Sequence, residues 1–205
     1  MSKLTMDQEN YFDSLILKYI VEPLAPNVYK LSIKPNLLTL IGLISSLTAI
    51  YHLSNYKIYQ FSFYFLISQV FDVFDGYLAR RYNMSSKFGD YFDHIADAIK
   101  TILLFYILFI KYDLGHSKIL IVIFIIFLIL LLTFVGYQEK ISKYDDYNDT
   151  LKINCCFCYG DPEIYIKKFK HFGSGTFIIM CILISNYLYH KKINKIKIPI
   201  ITQGE

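Results

Sequence analysis

The stretch Ile119-Leu120-Ile121-Val122-Ile123-Phe124-Ile125-Ile126-Phe127-Leu128-Ile129-Leu130-Leu131-Leu132-Thr133-Phe134-Val135-Gly136 contains no charged residue and a single hydroxyl. Wound as a helix rising about 1.5 Å per residue, such a run comes close to the ~30 Å of hydrocarbon in a bilayer. It sits in a chain of 205 residues that is 55% hydrophobic and only 19% charged, with a mean hydropathy of +0.38. Those values exclude a disordered tail, a collagen or a linker. The net charge of +4 is too small for a nucleic-acid binder, which needs a dense basic face.

Other runs of the same kind lie on both sides. Leu37 to Tyr56 is free of formal charge and reads as a first span. After Lys57, residues Ile58 to Phe71 are uncharged and continue into Asp72, Asp75 and Arg80 with no breaker before Gly76. The next apolar run, Thr101 to Ile110, is too short to cross alone. It reaches spanning length only by extending back to Phe88, which takes in Asp90, Asp93, His94, Asp97 and Lys100. A fifth run covers Phe172 to His190. Upstream, Tyr11 to Val21 mixes apolar and charged residues too closely to cross, and is expected to stop near Pro23 and Pro26 as an interfacial helix.

The expected fold is therefore all-α: a polytopic integral membrane helical bundle of five or six transmembrane helices behind an interfacial amphipathic helix, forming one domain over residues 1–205. Within it, 10–34 form the interfacial helix and lead-in, 35–115 the catalytic helices, and 116–205 the remaining helices with a polar loop. Lys140, Lys143, Lys152, Lys167, Lys168 and Lys170 in that loop put it, the N-terminus and the Tyr82 to Lys87 turn in the cytosol. Lys191, Lys192, Lys195 and Lys197 argue the other way after five spans, which leaves a sixth or re-entrant pass open. No segment resembles a cleavable signal peptide. Cys155-x2-Cys158 has zinc-like spacing without a second pair, so Cys155, Cys156 and Cys158 are read as thiols on a membrane-proximal loop, and with Cys181 they imply no disulfide framework.

The chemistry is carried by acids. Asp72 and Asp75 are i,i+3 neighbours and Asp93 and Asp97 are i,i+4 neighbours, so each pair shares a helix face. A short turn makes the two helices antiparallel, and the end of one lies at the depth of the start of the next. Four carboxylates then converge. Arg80 and Lys100 are too few to neutralise them, and hard divalent cations, Mg²⁺ or Mn²⁺, are the natural occupants. Gly76, Ala79 and Gly89 leave room near the backbone, Arg80 suits a phosphate, and Ser85 and Ser86 bring hydroxyls into the turn. Acids, metal and phosphate together point to phosphoryl-type transfer.

The pattern Asp72-x2-Asp75-Gly76-x2-Ala79-Arg80-x8-Gly89-x3-Asp93-x3-Asp97 resembles, at every position, the signature of the CDP-alcohol phosphotransferase (phosphatidyltransferase) family. Lys34-Pro35-Asn36-Leu37-Leu38-Thr39 also looks like that family's Pro-Asn-x-x-Thr lead into its first membrane helix, and the likeness covers roughly residues 10–115. The resemblance implies transfer of a substituted phosphate from a CDP-alcohol to an acceptor alcohol, with release of CMP. It implies two ions, one held by Asp72, Asp75 and Asp93 and one by Asp72, Asp93 and Asp97, with Asp97 also the candidate base. Gly76, Ala79, Arg80 and Gly89 would hold the nucleotide, with Asn36, Thr39 and Ser86 at matching polar positions. Asp90 falls outside the signature as a solvated acid, and His94, turned about 100° from Asp93, is read as a non-ligand. A homodimer in the bilayer is implied as well, in an endoplasmic-reticulum-type membrane if the source is eukaryotic, with the active site facing the cytosol.

For the substrate, chain length favours CDP-diacylglycerol as donor to a polar alcohol of the inositol, glycerol phosphate or serine type. The alternative is transfer from CDP-choline or CDP-ethanolamine to diacylglycerol, because Pro35 to Leu43 and Phe92-Asp93-His94 look more like that group. Outside this chemistry, the readings are a cation transporter, which would place its acids at the bilayer midplane, and an inactive membrane scaffold.

Overall fold

In the computed structural model, the described residues are 10–142 and 160–201, and they are helical almost throughout. Helix α1 (Tyr11–Ile16) is capped by Asn10, whose side chain accepts from the Phe12 and Asp13 N–H groups. A π-helical turn over Leu17–Val21 leads directly into α2 (Glu22–Lys30). The chain thus does not stop at its prolines. Pro23 and Pro26 both lie within this continuous helical run, directly after the wider π turn that the Glu22 N–H closes on the Leu17 carbonyl. The lead-in ends at Ser32, in the left-handed region at φ 57°.

Five long helices follow: α3 (Pro35–Ser54), α4 (Ile58–Arg81), α5 (Lys87–Lys111), α6 (Lys118–Ser142) and, after the short α7 (Pro162–Phe169), α8 (Ser174–Ile201). Pro35 opens α3 at a position where its fixed φ is already helical. The α3 to α4 connection is a tight turn through Tyr56 at φ 59°, and α4 reaches α5 through Asn83 at φ 54°. Three segments are long and apolar enough to cross a membrane by length and composition: Pro35–Ser54, Lys118–Gln138 and Pro162–Asn194. α4 and α5 match them in length but carry the acids. The Cys155 to Cys158 segment lies outside the described residues.

Two apolar clusters flank a polar layer. The larger joins α3, α4, α5, α6 and α8 around Leu53, Phe61, Phe65, Leu104, Phe124 and Phe177. The smaller packs the lead-in onto α3 and α4 through Leu17, Val21, Ala25, Leu38, Phe74 and Leu78. Because lipid is as apolar as these side chains, close packing rather than water exclusion favours the helix contacts inside a bilayer. Gly42 lets α3 lie close to α4: a Cβ there would stand 3.3 Å from the Phe71 Cβ and 3.4 Å from the Ser68 carbonyl oxygen. The outer faces remain apolar, with Ile102 and Ile119 strongly exposed. At the end of the bundle away from the acids, Lys111 Nζ and the Tyr112 hydroxyl donate to the carbonyls of Ser54 and Leu53, both at 2.7 Å. Lys192 donates to the Lys111 carbonyl there, and Lys191 reaches Ser117, so part of the basic tail is attached to this end.

Candidate active site

The antiparallel pair α4 and α5 brings the acids together as the spacing requires. Carboxylate oxygens of Asp72, Asp93 and Asp97 lie within 4.8 Å of one another. Asp75 lines the same cleft, along with Thr39, Gly42 and Ala96, but it stands outside that trio. Its Oδ2 accepts a 2.6 Å hydrogen bond from the Thr39 hydroxyl, so α3 holds this carboxylate from the opposite wall. Oxygen-only donors converging at this distance fit Mg²⁺ or Mn²⁺ better than softer metals.

The nucleotide candidates gather at the same end of the bundle. Ser86 caps α5, accepting from the Gly89 N–H at 3.0 Å. A Cβ on Gly89 would lie 2.8 Å from the Asn36 Oδ1 and 3.1 Å from the Ser86 Oγ, so Asn36, Ser86 and Gly89 meet at one point. Gly76 makes room for Arg80, whose guanidinium nitrogens lie 3.1 and 3.3 Å from where a Cβ would be. The carbonyl of Ala79 accepts from the Met84 N–H and the Ser85 hydroxyl, which shapes the turn between the helices. His94 Nε2 lies 3.5 Å from the Asp90 Oδ1, one turn back on α5.

Two features go further than the sequence reading. Lys100 enters the cluster itself, with Nζ 2.5 Å from Asp97 Oδ1 and 3.4 Å from Asp72 Oδ1. Its i,i+3 spacing from Asp97 was the available signal. Below the acids, Asp13 of the lead-in is buried and accepts from Gln69 Nε2 at 2.8 Å, Ser174 Oγ at 3.0 Å and the Gly175 N–H at 3.2 Å. Burial pushes the Asp13 carboxyl above its ordinary range, and these bonds offset only part of that rise. Asn10 extends the network by donating to the Lys170 carbonyl and to Thr176 Oγ1.

Comparison with known proteins accounts for this arrangement. Residues 32–199 match the model of the CDP-alcohol phosphatidyltransferase family. The chain belongs to that family. An uncharacterized class-I CDP-alcohol phosphatidyltransferase family protein of Schizosaccharomyces pombe is 39% identical over 105 residues, covering 43% of this chain and 27% of that protein. Choline/ethanolaminephosphotransferase 1 of Saccharomyces cerevisiae is 30% identical over 118 residues, covering 51% of this chain and 30% of the yeast protein. The CDP-diacylglycerol–glycerol-3-phosphate 3-phosphatidyltransferase of Rickettsia typhi is 49% identical over 35 residues, covering 17% of this chain and 20% of its own length. The chain thus spans less than a third of each of these curated relatives. No solved structure matches it.

Proposed function

We propose that this chain is a divalent-metal-dependent phosphotransferase that moves a substituted phosphate from a CDP-alcohol to an acceptor alcohol and releases CMP. The observation that carries the reading is the convergence of Asp72, Asp93 and Asp97, with Asp75 in the same cleft, beside the meeting point of Asn36, Ser86 and Gly89.

Asp72, Asp75, Asp93 and Asp97 would hold two Mg²⁺ or Mn²⁺ ions, which when bound neutralise the diphosphate and stabilise the departing charge. The chain's own groups do the rest. Arg80 and the polar groups at Asn36 and Ser86 orient the nucleotide, while Thr39 fixes Asp75. The acceptor hydroxyl oxygen forms a bond to the phosphorus that carries the donor alcohol, and the bond from that phosphorus to the bridging oxygen breaks. CMP leaves with the electron pair, and the hydroxyl proton passes to Asp97.

For the donor, the longer similarity to the yeast choline/ethanolaminephosphotransferase supports a CDP-aminoalcohol and diacylglycerol, as does Phe92-Asp93-His94. The second reading, CDP-diacylglycerol with a polar alcohol, is supported by the shorter rickettsial match. Five or six membrane passes with the acid end at the cytosolic boundary, and pairing through membrane helices into a homodimer, complete the proposal; cross-linking in nanodiscs that yields only monomer would remove the dimer. The deciding experiment offers the purified protein each radiolabelled CDP-alcohol in turn, with Mg²⁺ and each acceptor class. Metal-dependent CMP release with one donor class identifies the substrate. No release from any donor, with folded protein and bound metal, overturns the reaction.

A further inference from the structure

Lys100 stands outside the family signature, yet its ammonium lies among the signature's own carboxylates. The side chain is only 12% exposed, and Nζ is 2.5 Å from Asp97 Oδ1 and 3.4 Å from Asp72 Oδ1. These are two of the three carboxylates proposed for the second ion. A cation such as Mg²⁺ sits about 2.1 Å from its oxygens. Its charge would fall within a few ångströms of the ammonium if both used the same oxygens, a strong repulsion in a site shielded from water. The two positive charges compete for one place. Lysine is suited to yielding it, being a compact charge on a flexible stem, unlike the rigid fork of arginine.

We propose that Lys100 is a tethered countercharge that competes with one of the two divalent ions, offsetting part of the charge of Asp72 and Asp97 until that ion binds and then swinging aside. The inference rests on the two-ion reading above. It has two consequences. The helix pair carries less uncompensated negative charge in or beside hydrocarbon, and Asp97 is freed from the ammonium only when the second ion is in place. A permanent ion pair between Lys100 and Asp97 would instead block both roles.

The test uses the full chain purified in Mg²⁺, stripped with EDTA and titrated with Mn²⁺ while free Mn²⁺ is followed by electron paramagnetic resonance. Lys100→Met should bind the weaker ion about tenfold more tightly or better, since one opposing charge has gone. Lys100→Arg, which keeps the charge on a stiffer head group, should bind that ion no more tightly than the native chain. Equal or weaker binding by Lys100→Met, or equally tight binding by Lys100→Arg, overturns the countercharge while leaving the metal site standing. Absence of Mn²⁺ binding in all three overturns both readings. A measurement on the unsubstituted chain decides the matter even if a variant fails to fold. Acetylation of Lys100 by acetic anhydride, read by peptide mass spectrometry, should be faster at saturating Mn²⁺ than in EDTA, and an unchanged or slower rate rejects the proposal.

Discussion

Asp13 Oδ2 accepts a hydrogen bond from the Gly175 N–H at 3.2 Å, tying the first helix of the lead-in to the first turn of α8 across 162 positions of sequence. The carboxylate caps a helix that is not its own, where unpaired N–H groups and the helix dipole both favour an acceptor. Gln69, three residues before Asp72 on α4, donates to the same carboxylate at 2.8 Å, so the lead-in, α4 and α8 are fixed together beneath the acid cluster. Asp13→Ala should cost about 1–3 kcal/mol, because it removes the acceptor of the Ser174 hydroxyl and the Gly175 N–H and leaves the Gln69 amide with Ser174 Oγ alone. Thermal unfolding in detergent measures it, and a melting temperature equal to that of the native chain would show that the network contributes nothing.

The Thr39 hydroxyl and Asp75 Oδ2 meet at 2.6 Å between α3 and α4. A hydrogen bond to a charged group contributes about 1.5–3 kcal/mol, which corresponds to roughly ten- to a hundredfold if it serves to aim the carboxylate. Thr39→Val keeps the shape and removes the bond, so transfer activity should fall about tenfold or more and metal affinity should weaken with it. Thr39→Ser keeps the hydroxyl and should stay near native. Equal activities for valine and serine variants would show that Asp75 needs no help from α3.

Much of this architecture was legible before any coordinates, and the reasons differ by element. The uncharged runs between Leu37 and Gly136 marked α3, α4 and α6, although α6 runs on past Gly136 to Ser142, and α5 was reached only by adding the acidic stretch before its short apolar run. The i,i+3 and i,i+4 spacing of the acids gave one face per helix, and the short turn required the faces to meet. The lead-in was misjudged at Pro23 and Pro26, because a π turn is a backbone solution that residue identity does not announce. Lys100 was visible as a charge near the acids, but its entry into the cluster depends on how a long side chain folds back. The Asp13 network joins residues 56 and 161 positions apart, and no local period encodes such a pairing.

Gly89 stands where a Cβ would press on the Asn36 Oδ1 at 2.8 Å. Gly89→Ala therefore displaces the Asn36 amide while the helix itself gains a residue of higher propensity. The expected result is a KM for the CDP-alcohol raised several-fold to about tenfold with kcat little changed, the mark of lost ground-state binding. Asn36→Ala should act in the same direction. A fall in kcat at constant KM would place Gly89 and Asn36 with the reacting groups instead of the nucleotide.

Ser85 lies in the α4 to α5 turn and is exposed. In a background with the native cysteines replaced, Ser85→Cys in sealed vesicles of known orientation should react with a membrane-impermeant maleimide from the cytosolic side. Labelling from the opposite side alone would invert the proposed topology.

The carboxylates of α4 and α5 should separate into two classes when each is replaced by its amide. Asp97 is the proposed base, and an amide in its place keeps the size and one oxygen donor but cannot take a proton. Asp72 and Asp93 are proposed to bridge both ions, so their amides each remove a negative charge from the centre of the cluster. Asp97→Asn should lose transfer activity by about 10² to 10⁴-fold, the range for removal of a general base, while still binding CDP-alcohol when metal is present. Asp72→Asn and Asp93→Asn should lose metal-dependent nucleotide binding along with turnover. Isothermal titration of the three variants with Mn²⁺ and nucleotide, alongside CMP release, distinguishes the cases. Near-native turnover by Asp97→Asn would transfer the base role elsewhere on α5, and the His94 and Asp90 pair, 3.5 Å apart, would be the next to test.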